Sequence, residues 1–258
     1  MKLLHVRHAT SILTYEGVRI LIDPVFAGKE TSPAFPMTPN RRKNPLVDLS
    51  TPMNQLLDID LVLATHLHID HFDQDAMDKL DKNLDLICQS EDVKTLQSKG
   101  FLHVIPVKDN LVYQNITLTR VNAQHGTGPI GQSCAPASGY ILQSKNEPTV
   151  YITGDTIYNN SVKTNIYTYQ PQIMIMNAGS PKFLFSDRIV MNIMDIENTL
   201  RVNPALCFVI VHLDTYNHCI ETREDIHEYF STSKLQELGV SHFYVPSDNE
   251  TLDERILV

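Results

Sequence analysis

No tryptophan occurs among the 258 residues, and aromatic residues of all kinds amount to 7%. Composition therefore outlines no substrate pocket, because core packing is the usual fate of the ten Tyr and nine Phe. Long hydrophobic runs are missing as well. Apolar stretches such as Leu206–Val211 and Val150–Ile152 suit strands and are far too short to cross a bilayer. The opening Met1-Lys2-Leu3-Leu4-His5 lacks the apolar region and small-residue cleavage site of a secretory leader. Cys88, Cys134, Cys207 and Cys219 form no CxxC pair and read as free thiols of a reducing compartment. A cytoplasmic location without membrane association is the expectation. Positive charge is scarce: 21 Lys and Arg against 30 Asp and Glu give a net charge of −9 and a pI near 5.6. That balance argues against wrapping a nucleic-acid backbone and leaves a small molecule as the expected partner. Oligomeric state is not legible.

With 42% hydrophobic and 20% charged residues, the chain reads as an ordinary globular protein near the upper size for one core. Ile12–Tyr15 and Val18–Ile22 suggest a hairpin turning at Glu16-Gly17. Prolines recur from Pro24 to Pro52 and predict a long surface loop. Beyond it, strands are expected at Leu61–Ala64, Leu84–Cys88, Val104–Val107, Ile116–Val121, Gly139–Gln143, Val150–Thr153, Ile173–Met176, Leu206–Val211 and Phe243–Val245. Helices are expected at Asp73–Leu80, Ser90–Ser98, Met194–Arg201 and Thr222–Phe230. Many strands first, then strands mixed with helices, suit two packed sheets covered by helices. No linker divides the chain, so residues 1–258 are expected to form a single domain.

Histidine is what the sequence has and does not scatter: there are 11. Thr65-His66-Leu67-His68-Ile69-Asp70-His71 follows directly on the apolar run ending at Ala64. Residues two apart on extended backbone point the same way, so His66 and His68 can reach one metal. If the chain turns there into a helix, Asp70 and His71 can face a second. Imidazole and carboxylate are the ligands of zinc and its first-row neighbours. The competing reading is a solvated turn with a capping Asp. Three more strand ends carry one ligand type each: His125 after Asn122-Ala123-Gln124, Asp155 after Thr153-Gly154, and His212 after Ile210-Val211. Singly, each reads as a cap or turn residue; together with the first cluster they make a constellation.

His66-x-His68-x-Asp70-His71, followed in order by His125, Asp155 and His212, resembles the metallo-β-lactamase-fold hydrolase superfamily, over about residues 1–250. Gly154-Asp155-Thr156 and Val211-His212-Leu213 are similar to the branch related to L-ascorbate-6-phosphate lactonase, and Pro39–Pro45 with Asn217-His218-Cys219 are similar to an uncharacterised group within it. The resemblance implies an α/β fold, a four-layer αβ/βα sandwich of two mixed β-sheets flanked by helices. It implies that His66, His68 and His125 hold one metal, that Asp70, His71 and His212 hold a second, and that Asp155 bridges them. Asp23, in Leu21-Ile22-Asp23-Pro24, would orient the metal loop from behind. One or two divalent ions are implied, zinc first and manganese as the alternative. Members that reduce oxygen at di-iron replace the residue at His68 with Glu, so the motif here favours hydrolysis.

The function expected is a lactonase-like, metal-dependent hydrolase that uses a metal-activated water on a small anionic ester, lactone or phosphoester. Asp70 and Asp155 are the candidates to accept or relay a proton. His218, six residues past His212, could act as general acid or substrate contact, or be a loop histidine with backbone partners. His5 and His8 read as structural residues, with a place facing the site as the alternative. Arg41 and Arg42 could hold a substrate phosphate or carboxylate, or form a solvated loop run. A phosphodiesterase acting on RNA or DNA and a non-catalytic metal- or metabolite-binding protein are the rival functions.

Overall fold

In the computed structural model, which describes residues 1–253, the strand patterns alternate between two buried faces. The first sheet begins with the antiparallel strands β1 (Lys2–Arg7), β2 (Thr10–Tyr15) and β3 (Val18–Ile22). It continues in parallel through β4 (Leu61–Leu63), β5 (Asp85–Gln89) and β6 (His103–Val107). The second sheet contains β7 (Asn110–Tyr113), β8 (Ile116–Ala123), β9 (Ala137–Gln143), β10 (Val150–Ile152), β11 (Ile173–Asn177), β12 (Cys207–Val211) and β13 (His242–Tyr244). A last strand, β14 (Glu250–Asp253), returns to pair with β1. Each sheet thus has seven strands.

The short apolar runs are strands buried on both sides. Leu61 and Leu63 point into the core between the sheets, together with Ile173, Ile175, Val209 and Val211 of the facing sheet. Val62, between the two leucines, points outward into a cluster with Leu56, Ala76, Met77 and Leu96. Those residues belong to the helices α1 (Met53–Leu57), α2 (Gln74–Lys79) and α3 (Val93–Ser98). A short helix, α4 (Gly128–Cys134), follows β8. The outer face of the second sheet, including Met174, Met176, Phe208 and Ile210, meets Val162, Ile166, Ile196, Leu200, Ile226 and Leu238. These come from α5 (Asn160–Tyr169), α6 (Ile193–Val202), α7 (Arg223–Tyr229) and α8 (Thr232–Leu238). Three apolar clusters in sequence across the molecule make the four-layer αβ/βα sandwich. No helix among the described residues is long and apolar enough to cross a membrane.

The hairpin turns at Glu16-Gly17 as expected, and residues 24–52 hold no helix or named strand. That loop is tethered from inside. The buried Arg7 guanidinium donates to the carbonyls of Val25, Ala27 and Val47 at 2.9–3.3 Å. The expected helix at 90–98 starts instead as a 3₁₀ turn and becomes α-helical at Val93.

Candidate metal centre

Six strands deliver the site. β1, β3 and β4 run in one direction within the first sheet, as do β8, β10 and β12 within the second. Their carboxyl ends lead into His8, Asp23, His66, His125, Asp155 and His212. The two sheets meet there through backbone: His212 N–H donates to the carbonyl of His8 at 2.9 Å. The turn after β4 closes through His71 N and Phe72 N, both donating to the His68 carbonyl, so His68, Asp70 and His71 leave a tight coil. At β10, Gly154 has φ +59°, and a Cβ there would lie 2.2 Å from the Ser138 carbonyl oxygen. Only glycine lets the chain turn Asp155 inward at that point.

The ligand atoms fall into three overlapping groups: His66, His68 and His125; His66, His71 and Asp155; and His8, Asp70, His71 and His212. His66 Nε2 lies 2.9 Å from His68 Nδ1, and His125 Nε2 lies 3.2 Å from the same atom. Asp155 Oδ2 stands 3.2 Å from His71 Nε2, 3.5 Å from His125 Nε2 and 3.6 Å from His212 Nε2, touching both ends of the cluster. All seven ligands expected from the sequence converge. All are buried except His68, which is half-buried.

The far side of each ring fixes which nitrogen faces inward. His125 Nδ1 donates to the Ile189 carbonyl at 2.9 Å, and His212 Nδ1 donates to that of Ala178 at 3.1 Å. His71 Nδ1 donates to Asp23 Oδ2 at 2.8 Å. Asp23 also accepts from Thr65 N and Thr65 Oγ1, each at 2.7 Å, and His66 Nδ1 lies 3.1 Å from that hydroxyl. Asp23 therefore holds the coil from behind. Asn177 Nδ2 donates to the second oxygen of Asp155 at 2.7 Å.

Buried ring nitrogens in this cage, His71 Nε2, His212 Nε2 and both nitrogens of His8, have no hydrogen-bond partner. Buried polar atoms left so are costly, and a divalent cation is the group that this donor set fits. The electrostatics agree. Burial works against the ionised form of Asp155, but His71 and His212 bring it well below the carboxylate range. Asp70 behaves alike, through His212, His218 and His8. Burial pulls His71 down, yet Asp155 and Asp23 carry it up to about 10. Burial keeps His125 neutral, at about 4. The carboxylates thus call for positive charge beside them, which a divalent cation would supply.

Above the cluster opens a cavity of about 190 Å³. His68, Asp70, His125 and His218 form its floor side, and Phe35, Ile69, Cys134, Phe183 and Ile189 complete the wall. His218 does return to the cleft: its Nε2 lies 3.3 Å from Asp70 Oδ2. Neither Arg41 nor Arg42 lines this cavity, so of the two readings of these arginines the substrate-holding one is corrected and the solvated loop run fits. Both are exposed, and Arg41 lines a neighbouring cavity with Phe35, Met37 and Leu184. The reason is a buried knot below them. Asn217 accepts from Phe35 N and Asn44 Nδ2, donates to Thr38 Oγ1 and the Asn40 carbonyl, and so pins the arginine segment by its ends. Sequence reasoning missed Asn177, Thr65 and the Asn217 knot, and it read His8 as structural.

Residues 18–212 match the sequence profile of a beta-lactamase superfamily domain. The chain belongs to this superfamily. UPF0173 protein YddR of Bacillus subtilis (strain 168) is 31% identical, over 97% of this chain and 99% of its own length. The crystal structure of a possible metal-dependent hydrolase from Veillonella parvula DSM 2008 is 32% identical, covers 98% of both chains and superposes with a TM-score of 0.93. That of an isothiocyanate hydrolase from Delia radicum gut bacteria is 30% identical, covers 98% of this chain and 99% of its own, and gives 0.92. Relatives in the superfamily carry the name metal-dependent hydrolase, among them one from Koribacter versatilis (strain Ellin345) that is 29% identical over 69% of this chain and 72% of its own length. They do not single out the lactonase branch.

Proposed function

We propose that the protein is a metal-dependent hydrolase of small, uncharged electrophiles with an apolar tail, and that isothiocyanates are the first class to test. The observation that carries this reading is the composition of the cavity wall. Phe35, Ile69, Phe183 and Ile189 face the reacting end, and no lysine or arginine is among the lining residues. Away from the metal ligands and His218, an anionic tail would lose water against this wall without gaining a cationic side chain, whereas an alkyl or aryl tail gains from burial. The similar isothiocyanate hydrolase supports the same choice.

In this reading His66, His68 and His125 would hold one ion, and Asp70, His71 and His212 would hold another, with Asp155 available to either. Zinc is the first candidate, with manganese the alternative. A divalent ion supplies Lewis acidity, making water nucleophilic near neutral pH and withdrawing electrons from the electrophilic carbon. The chain's own residues do the rest. Asp70 and Asp155 stay ionised and would accept hydrogen bonds from the water, orienting it and passing its proton on. His218 faces the cavity with its Nε2 3.3 Å from Asp70 Oδ2, where it would deliver a proton to the departing nitrogen. Water adds to the central carbon of R–N=C=S, the nitrogen takes up protons, and C–N cleavage gives R–NH2 and carbonyl sulfide. Phe35 and Phe183 hold the tail and keep bulk water from the reacting end.

The test is a panel of alkyl isothiocyanates, γ-lactones and aryl phosphodiesters offered to protein stripped with a chelator and then reloaded with zinc or manganese. Amine release that disappears on stripping and returns on reloading supports the proposal. Reloaded protein that cleaves lactones or phosphodiesters and leaves isothiocyanates intact would refute the substrate class.

A further inference from the structure

One imidazole inside the cluster belongs to none of the roles above. His8 follows β1, is fully buried, and has φ of 58°, a left-handed conformation that a residue with a Cβ keeps only when its surroundings impose it. Neither Nδ1 nor Nε2 has a hydrogen-bond partner. Its ring lies against His212, centroids 3.7 Å apart and tilted by 36°, with Tyr216 at 4.8 Å. Its Nε2 stands 3.5 Å from Asp70 Oδ2, and its carbonyl accepts the His212 N–H. Strain, an unpartnered buried ring and contacts with two residues of one ligand group coincide at a single position.

We infer that His8 is a positioning residue for the second metal position: its Nε2, 3.5 Å from Asp70 Oδ2, steadies the carboxylate from behind, and its ring backs that of His212. The inference rests on the reading of Asp70, His71 and His212 as that position. Asp70 Oδ2 faces three imidazoles, with His218 at 3.3 Å and His212 at 3.7 Å besides His8. A carboxylate steadied from the His8 side stays pointed into the cage, which leaves His218 available to the cavity.

The experiment compares wild type, His8→Ala and His8→Gln, each stripped and titrated with zinc against a chromophoric chelator. Metal-free melting curves verify that each variant folds. The expected result is two equivalents in wild type, an unchanged first equivalent in His8→Ala, and a second bound roughly 10–100-fold more weakly. Gln, whose amide can donate to Asp70, recovers most of that loss. If Ala does not fold, His8→Phe replaces it, since Phe keeps a ring against His212 and removes the donor. Wild-type affinity for both equivalents in the donor-less variants overturns the inference. A Gln variant as weak as Ala overturns it too, since the ring itself would then be the ligand. A wild type that takes up a single equivalent removes the second position and the role of His8 with it.

Discussion

The two halves of the cleft are built differently. The deep half is made of side chains at strand ends, buried, each ring fixed by a partner behind it: Asp23 for His71, Ile189 O for His125, Ala178 O for His212. The outer half is made of Phe35, Phe183 and Ile189, carried on segments without regular structure and tied by the Asn217 knot and by Leu184 N donating to the Met37 carbonyl. Chemistry that must be held to a fraction of an ångström stands on the sheets, and recognition stands on loops. The deep half should therefore fail abruptly on substitution, and the outer half should retune.

The largest effect is expected from Asp155→Ala, which removes the side chain common to both ends of the cluster. Metal content by elemental analysis should fall, and turnover should drop at least about 100-fold. Full metal with normal turnover would break the distinction at once. Asp23→Ala should come next, weakening metal binding roughly 10–100-fold in a chelator competition without touching the cavity. In the outer half, Phe35→Ala should reduce kcat/KM for an apolar-tailed substrate roughly tenfold, mostly through KM, as expected for one partly buried aromatic wall. A fall confined to kcat would move Phe35 into the chemical half. The smallest effect belongs to neither half. Tyr229, Arg201 and Lys234 hold the Glu197 carboxylate at about 2, below its usual 4.5. A lowered carboxylate stabilises the fold above its unfolded value and ceases to as the pH falls through its folded value. Glu197→Gln should thus lower Tm by no more than about 2 °C at neutral pH, with the difference disappearing between about pH 4.5 and 2.

The same contrast governs how much the sequence disclosed. The deep half was legible because its ligands end strands whose apolar runs are visible, and because His66, His68, Asp70 and His71 crowd into six residues. Two covered sheets were legible for a related reason: runs such as Cys207–Val211 bury both faces, and their number and order suit that arrangement, whereas the four-layer sandwich itself came from the family resemblance. His8 escaped because a lone histidine between β1 and β2 carries no spacing signal, and its role depends on the opposite sheet. α4, with Gly128, Pro129 and Gly131, has the composition of a loop. α5 buries Val162, Asn165 and Ile166 and gives only a weak helical stripe. The sequence could not choose between the two readings of Arg41 and Arg42 because their position is set by Asn217, more than 170 residues away, and no local pattern encodes such a knot.

The most direct test of the account offers the metal-loaded protein two isothiocyanates of equal length, one ending in a methyl group and one in a carboxylate, with and without a chelator. The account predicts chelator-sensitive release of amine from both, with kcat/KM favouring the methyl-ended substrate by at least about tenfold. Preference for the carboxylate-ended one, or release indifferent to the chelator, would contradict it.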